Sequence, residues 1–289
     1  MYGAIIGDIV GSTYEFNNVK TRDFPLFPQG SDFTDDSIMT FAVAKALFRA
    51  REEQVSFKSV LVEEMQRLGR EYPCPMGAYG GRFSCWLRSK DPQPYGSFGN
   101  GSAMRVSPCG LIAVTLQEAL ELAEASAAVT HNHPEGIKGA QAVAAAIFLA
   151  RTGRTQAEIK QYIHENFYPL DRSFEEIRRN YRFNESCQQT VPEAITAFLE
   201  SDSFEDAIRN AMYLGGDSDT IGAITGAIAW SYYYNRNFGR LTEDMQRMRQ
   251  RAEEFLPEDF REFAQLFENL CSYRAGAFDR IGIVKSIPL

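Results

Sequence analysis

The sequence predicts an all-α fold, a single orthogonal multi-helix domain packed around a central buried pair of helices. Three observations carry that reading. No run alternates apolar and polar residues for long enough to make a sheet. Apolar residues instead return every three or four positions in one segment after another, which is the spacing of a helix face. Helix-start chemistry recurs as well. Thr115-Leu116-Gln117-Glu118 and Thr155-Gln156-Ala157-Glu158 are capping boxes, in which a threonine and a glutamate three residues on satisfy each other's backbone N–H groups. At 289 residues and 44% hydrophobic, the chain can bury a large core. One domain over residues 1–289 is expected, without internal repeats or low-complexity segments.

Residues 3–16 read as a helix ending near Glu15, with Ile5, Ile6, Ile9 and Val10 on one side and Gly3, Ala4, Gly7 and Gly11 permitting close packing. Asn17 to Ser31 holds Pro25, Pro28 and Gly30 and should be a loop. Ile38, Phe41, Ala42, Val43, Ala46, Leu47 and Phe48 then follow helical spacing, and a more polar amphipathic helix covers about 56–69. Between Tyr72 and Gly101 prolines and glycines crowd together, and just Arg82 to Leu87 looks regular. A loop region that long in a compact domain is more often functional than idle. Helices return over 119–129, 134–151 and 159–167, after Ser173-Phe174-Glu175-Glu176, and over 191–199 and 203–214. After the stretch 215–230, described below, 242–255 and 257–271 are amphipathic, and the tail from Tyr273 has no clear pattern.

Charge and composition exclude several classes. A net charge of −8, a pI near 5.1 and the lack of a basic stripe argue against strong nucleic-acid binding by counterion release. The apolar start lacks a basic leader region and is broken by Asp8, so it is not read as a signal peptide, and no stretch is long and apolar enough to span a bilayer. The five cysteines show no metal-ligand spacing. A reducing cytoplasm fits them, with Cys85 and Cys109 expected as small core residues.

Gly215-Gly216-Asp217-Ser218-Asp219-Thr220 runs into Ile221-Gly222-Ala223-Ile224-Thr225-Gly226-Ala227-Ile228-Ala229-Trp230, a helix so apolar and small that it should lie inside the protein. Asp217 and Asp219 are expected at its positive end, where the dipole favours ionised carboxylates, and two such charges in a sheltered place call for a cation. The plain alternative is an N-cap by Asp219 or Thr220 with nothing bound. Thr34-Asp35-Asp36 opens a second buried helix in the same way. If both starts share a cavity, the oxygens suit hard cations such as Mg²⁺ or Mn²⁺, and four carboxylates, with Glu15 as a possible fifth, nearly balance two divalent ions. Ser97-Phe98-Gly99-Asn100-Gly101 precedes a further helix start, where backbone N–H groups can approach an anion; the alternative is a simple turn. Thr130-His131-Asn132-His133 lies at a junction. The two histidines alternate and cannot both face one site in extended backbone, and capping or solvation is their ordinary role. His164 reads as a surface helix residue.

Taken together, Gly7-Asp8-Ile9-Val10-Gly11-Ser12 with Tyr14-Glu15, Thr34-Asp35-Asp36-Ser37, Tyr79-Gly80-Gly81, Gly99-Asn100-Gly101 with Ala103-Met104-Arg105, Thr130-His131 and Gly216-Asp217-Ser218-Asp219-Thr220 resemble the ADP-ribosylglycohydrolase family, in that family's order across residues 3–230. The resemblance implies an all-α fold with a centre of two Mg²⁺ or Mn²⁺ ions. It implies Thr34, Asp35, Asp36, Asp217, Asp219 and Thr220 as metal ligands and Glu15 beside them on a mobile segment. It also implies Ser97, Phe98, Gly99, Asn100 and Gly101 around a diphosphate, with Met104 after them among the substrate-binding residues, His131 rather than His133 near the ribose, and Tyr79 and Gly80 along the approach to the scissile bond. Ser37 stands where many members have threonine, and the tail from about Gly239 carries no family motif, so helices within 240–271 are expected to pack on the rest.

The activity implied is hydrolysis of the bond at the anomeric carbon of ADP-ribose, through an oxocarbenium-like transition state, on an ADP-ribosylated protein or small molecule. Asp36 or a metal-held water is expected to activate the attacking water, with Glu15 as leaving-group acid or gate. Two other classes stay open: a non-catalytic ADP-ribose-binding or structural member, and a two-metal nucleotide phosphohydrolase. Tyr14 before Glu15 is similar to members acting on O-linked ADP-ribose.

Overall fold

A computed structural model describes residues 1–277 and 287–289, so most of the patternless tail lies outside the described residues. The regular structure of the described residues is helical. Its first helices are α1 (Tyr2–Gly11), α2 (Asp35–Glu53), α3 (Phe57–Glu71), α4 (Gly81–Arg88), α5 (Gly101–Met104), α6 (Ser107–Ile112), α7 (Leu116–Ala128) and α8 (Pro134–Arg151). They are followed by α9 (Gln156–Asn166), α10 (Phe174–Asn180), α11 (Cys187–Leu199), α12 (Phe204–Leu214), α13 (Ser218–Arg236), α14 (Glu243–Glu253) and α15 (Glu258–Ala277). Extended pairing among the described residues is limited to two isolated bridges, Thr34 with Met76 and Gly99 with Ser186.

Helix α13 is the axis, with α1, α8, α11 and α12 packed on it. Every residue of α1 is buried, as is α13 from Ser218 to Tyr232. Two helices buried this completely need small residues where they touch. A Cβ at Gly3 would come within 2.1 Å of the Gly226 carbonyl oxygen, one at Gly7 within 1.9 Å of that of Gly222, and one at Gly11 within 2.4 Å of that of Ser218. The backbones therefore touch along three successive turns, and the last contact lies beside Asp219.

Local chemistry sets the helix ends. Thr155 and Glu158 complete the reciprocal capping box. At Thr115 the threonine caps the Glu118 N–H, while the glutamate reaches one residue further back, to the Val114 N–H at 2.6 Å. Helix α1 ends at Gly11, four residues short of the position read from the sequence, because no apolar face continues past Val10 and Ser12 turns its hydroxyl back to the Ile9 carbonyl. Cys85 is exposed while Cys109, Cys187 and Cys271 are buried; the eight-residue α4 buries Phe83, Trp86 and Leu87 and leaves Cys85 on its outer side. Helix α14 buries Met245, Met248 and Ala252. Phe260 of α15 stacks on Phe41 of α2 at 4.0 Å between centroids, and Glu268 accepts from the chain's amino terminus at 2.7 Å.

Candidate active site

The two acidic helix starts meet. Thr220 donates its hydroxyl to Asp36 Oδ2 at 3.2 Å across 184 positions of sequence. Around that contact a cavity of about 490 Å³ opens, lined among others by Glu15, Asp35, Asp36, Asp217, Asp219 and Thr220.

Asp8 places the first start. Buried in α1, it accepts from the Thr34 N–H (3.0 Å), the Thr34 hydroxyl (2.7 Å), the Ser37 N–H (3.1 Å) and, in a short contact, the Ser37 hydroxyl. Three of those bonds fall on Oδ2 and one on Oδ1, so Asp8 anchors the N-terminus of α2 and keeps spare acceptor capacity on Oδ1 alone. Thr34 is likewise committed: it caps the Asp36 N–H at 3.2 Å and donates to Asp8. It was expected among the metal ligands, yet its hydroxyl faces Asp8. The second start is shaped by Gly216, at φ +82°, where a Cβ would stand 2.3 Å from the Tyr181 ring. Asn18 joins this turn to the Glu15 segment, accepting from the Gly216 N–H at 2.7 Å while its amide donates to the Gly216 and Glu15 carbonyls at 2.9 and 3.1 Å.

Electrostatics follow burial. Asp36 and Asp219 are pushed well above the usual carboxylate range, first by loss of water and then by neighbouring charges, those of Asp219 and Asp8 on Asp36 and those of Asp217 and Asp8 on Asp219. Asp35 moves the same way, through desolvation first and then the charges of Asp219 and Asp8. Burial raises Asp217 to about 6 against hydrogen bonds that lower it, and raises Asp8 to about 6. Glu15, half-buried, rises to about 8 through desolvation and the charges of Asp219 and Glu185. The helix dipole expected to favour ionised Asp217 and Asp219 is thus outweighed by desolvation and mutual repulsion.

A cation is the remedy the donor set fits. Glu15, Asp217 and Asp219 offer oxygens within 4.8 Å of one another, as do Asp8, Asp36 and Asp219, so Asp219 is common to both groups. Asp36 Oδ1 is buried without a hydrogen-bond partner, a costly state for a carboxylate oxygen unless an ion meets it.

The rest of the cavity comes from loops. The bridge between Thr34 and Met76 brings Gly77 to Gly81 alongside, with a Cβ position at Gly77 3.0 Å from Glu15 Oε2. Tyr79 lines the cavity with its ring, and its hydroxyl donates to the Tyr72 carbonyl at 2.9 Å; Gly80 lies beside it. Ser97, Gly99, Asn100, Gly101, Met104 and His131 also line the cavity. Helix α5 is a single turn, so little dipole supports an anion there. Of the backbone N–H groups in the glycine-rich run, that of Gly99 goes to Ser97 Oγ and that of Asn100 to the Glu185 carbonyl, while those of Gly101 and Ser102 take no backbone acceptor outside the helix among the described residues. The Asn100 amide donates to Asp217 at 2.7 Å, which makes it a support for the acids as much as a loop residue. Phe98 lies off the cavity lining, half-exposed against His133. His133 caps α8 through the Glu135 N–H, and exposed His164 accepts from the Leu170 N–H. Tyr14 is buried against Phe24 and donates to the Pro25 carbonyl, so it marks no acceptor chemistry at the site.

Sequence reasoning missed Asn18, Glu185 and the exposed pair Phe16 and Phe183, whose rings stack at 6.1 Å on the cavity rim. It quoted Asp8 and Arg105 within motifs without giving either a role. Each acts through residues far away in the chain, which no local pattern displays.

Comparison with known proteins bears on the whole assembly. The family model described as ADP-ribosylglycohydrolase matches residues 1–271. The chain is 28% identical to ADP-ribosylhydrolase ARH3 of Gallus gallus and to that of Homo sapiens, in each case over 80% of this chain and 83% of the relative. To the ADP-ribosylarginine hydrolase Tri1 of Pseudomonas putida (strain GB-1) it is 25% identical, over 81% of this chain and 69% of that one. A solved structure titled ADP-ribosylglycohydrolase-related protein complex shares the fold, with a TM-score of 0.68 at 22% identity over 94% of this chain and 95% of the other.

Proposed function

This chain belongs to the ADP-ribosylglycohydrolase family and on that ground is a glycosidic hydrolase; we propose that it is a metal-dependent one. In this reading it cleaves the bond between ADP-ribose and a modified protein side chain or small acceptor and releases ADP-ribose. The observation that carries the reading is the meeting of both acidic helix starts in one cavity, with Asp36 Oδ1 buried and unpaired among them.

Asp35, Asp36, Asp217, Asp219 and Thr220 would hold two divalent cations, Mg²⁺ or Mn²⁺ by their all-oxygen donors, and the four carboxylates balance two such charges. When bound, such ions polarise substrate oxygens and lower the pKa of water. Thr34 serves from behind, holding Asp36 through its cap. Glu15, pushed above the usual carboxylate range by desolvation and the charges of Asp219 and Glu185, would serve as leaving-group acid or as a gate to the site. Once cations offset the neighbouring aspartates, Asp36 is the carboxylate positioned on the water side. Gly101 and Ser102 present backbone N–H groups to a diphosphate without requiring net positive charge on the protein, which agrees with its acidic balance.

Peptides ADP-ribosylated on arginine and on serine, incubated with the protein and Mg²⁺ or Mn²⁺ and then with chelator, test this. Release of ADP-ribose that stops with chelator and is lost in Asp217→Ala is the expected result. Release of AMP or phosphate instead would make the protein a phosphohydrolase, and binding without release would make it a non-catalytic member.

A further inference from the structure

Arg105 is a charge without an evident partner. It is 1% exposed, and among the described residues its hydrogen bonds go to neutral acceptors: the Gly101 carbonyl at 3.0 Å, the Ser126 carbonyl at 3.0 Å and the Thr130 hydroxyl at 2.8 Å. Its Nε has no partner. Burying a guanidinium without a carboxylate is expensive, so the arrangement calls for a reason.

The third bond supplies one. A guanidinium can only donate, so Thr130 Oγ1 accepts from Arg105. The same oxygen lies 2.7 Å from His131 Nδ1. Were Nδ1 protonated, the threonine oxygen would receive two protons and its own hydroxyl proton would have no acceptor in a site that is 0% exposed, a state that costs an unmade hydrogen bond. The consistent arrangement has Thr130 donating to a bare Nδ1, which leaves the imidazole proton on Nε2. His131 is also held neutral, because burial and the charges of Arg105 and Arg82 push its pKa well below the usual value. Nε2 faces the cavity, 3.3 and 3.5 Å from where a Cβ on Gly101 or Gly99 would stand, and has no hydrogen bond within the described chain.

We propose that Arg105 is a positioning residue which, through Thr130, fixes His131 as a neutral imidazole whose Nε2–H donates to an anionic oxygen of the ligand held over Gly99 and Gly101. That the ligand is a diphosphate rests on the function proposed above; the tautomer does not. The buried guanidinium also places a positive charge behind the glycine-rich loop, where a bound anion would meet it through little water.

Nitrogen-15 NMR of the full chain labelled at histidine reads the tautomer directly. In the native protein His131 is expected to show a bare Nδ1 and a protonated Nε2 from about pH 6 to about 8, and the Nε2 resonance should move when ADP is added. Because Arg105 is wholly buried, the decisive variant is Thr130→Val, which keeps the side chain's size. It should populate the Nδ1–H form and weaken ADP binding about tenfold while leaving adenosine binding unchanged. Thr130→Ser should restore both readouts, and Arg105→Lys should behave like Thr130→Val. A native His131 protonated on Nδ1, or a Thr130→Val protein with an unaltered tautomer, would overturn the relay. An Nε2 resonance indifferent to bound ADP would overturn the donor role. Absence of ADP-ribose binding with the tautomer as stated would instead overturn the function proposed above.

Discussion

Gly7 of α1 and Gly222 of α13 lie so close that a Cβ on Gly7 would stand 1.9 Å from the Gly222 carbonyl oxygen, and one on Gly222 would stand 2.3 Å from that of Gly7. Backbone meets backbone there, so neither side can yield by a rotamer change. Gly7→Ala is expected to lower stability in urea by about 3 kcal/mol or more, the upper range for overpacking. Gly81→Ala, where a Cβ meets nothing within 4 Å, should stay within about 0.5 kcal/mol of the native protein.

Asp8→Asn removes the acceptor that organises the start of α2. The amide keeps the size of the carboxylate, but its NH₂ would face the Ser37 or Thr34 donors that Asp8 now accepts. Calorimetric Mn²⁺ affinity is expected to fall about tenfold, the usual cost of losing an outer-shell support of a metal site, while the helical circular dichroism signal persists. Unchanged affinity would show that the Asp8 bonds do not govern the site.

Metal-free stability should fall with rising pH. Carboxylates whose folded pKa lies above the unfolded value keep protons that the unfolded chain has released, so the folded state is favoured most below the ordinary range near 4. That advantage is lost as pH climbs through about 6 for Asp8 and Asp217 and about 8 for Glu15, with Asp35, Asp36 and Asp219 raised in the same direction. In chelator the melting temperature is expected to drop steadily from about pH 5 to about pH 8, and saturating Mg²⁺ or Mn²⁺ should remove most of the slope. A flat profile in chelator would contradict the desolvated cluster.

Asp219 belongs to both carboxylate groups, whereas Asp35 belongs to neither. Two Mn²⁺ per chain are expected in the native protein. Asp219→Asn should weaken both sites, leaving less than one ion bound under the same conditions, and Asp35→Asn, outside both groups, should weaken binding less. Equal losses from the two variants would mean that the ions are not shared in this way.

Phe16 and Phe183 are 76% and 45% exposed, yet stacked on each other across the rim beside Glu15 and Glu185. Because Phe16 follows Glu15 directly, the stack ties the Glu15 segment to the loop that carries Glu185. Phe183→Ala is expected to lower kcat/KM for ADP-ribosylated peptide about two- to tenfold, matching the loss of one aromatic pair, with no change in Mn²⁺ affinity. A change in metal binding instead would place the pair's role elsewhere.

Much of the site could be read from the chain because its acids sit at helix starts, and a helix start announces itself locally. Asp217, Asp219, Asp35 and Asp36 each precede an apolar run, and the resemblance of the surrounding motifs grouped them with Glu15 and His131. Asn100 was placed with the diphosphate loop, but its N–H and amide are taken by Glu185 and Asp217, partners 85 and 117 positions away that no spacing rule reaches. Phe98 shares the motif without sharing the cavity. Asp8 looked like an interruption of an apolar start, and its importance lies in Thr34 and Ser37, which come one loop later.

By itself the sequence determined the helices, most of their limits and the residue types at their starts, because periodicity, capping and turn chemistry depend on positions a few residues apart. Tertiary structure decided which starts face each other and, with that, the protonation of the carboxylates. Desolvation and repulsion depend on distances through space, and the close passage of α1 along α13 brings Asp219 to the acids of α2.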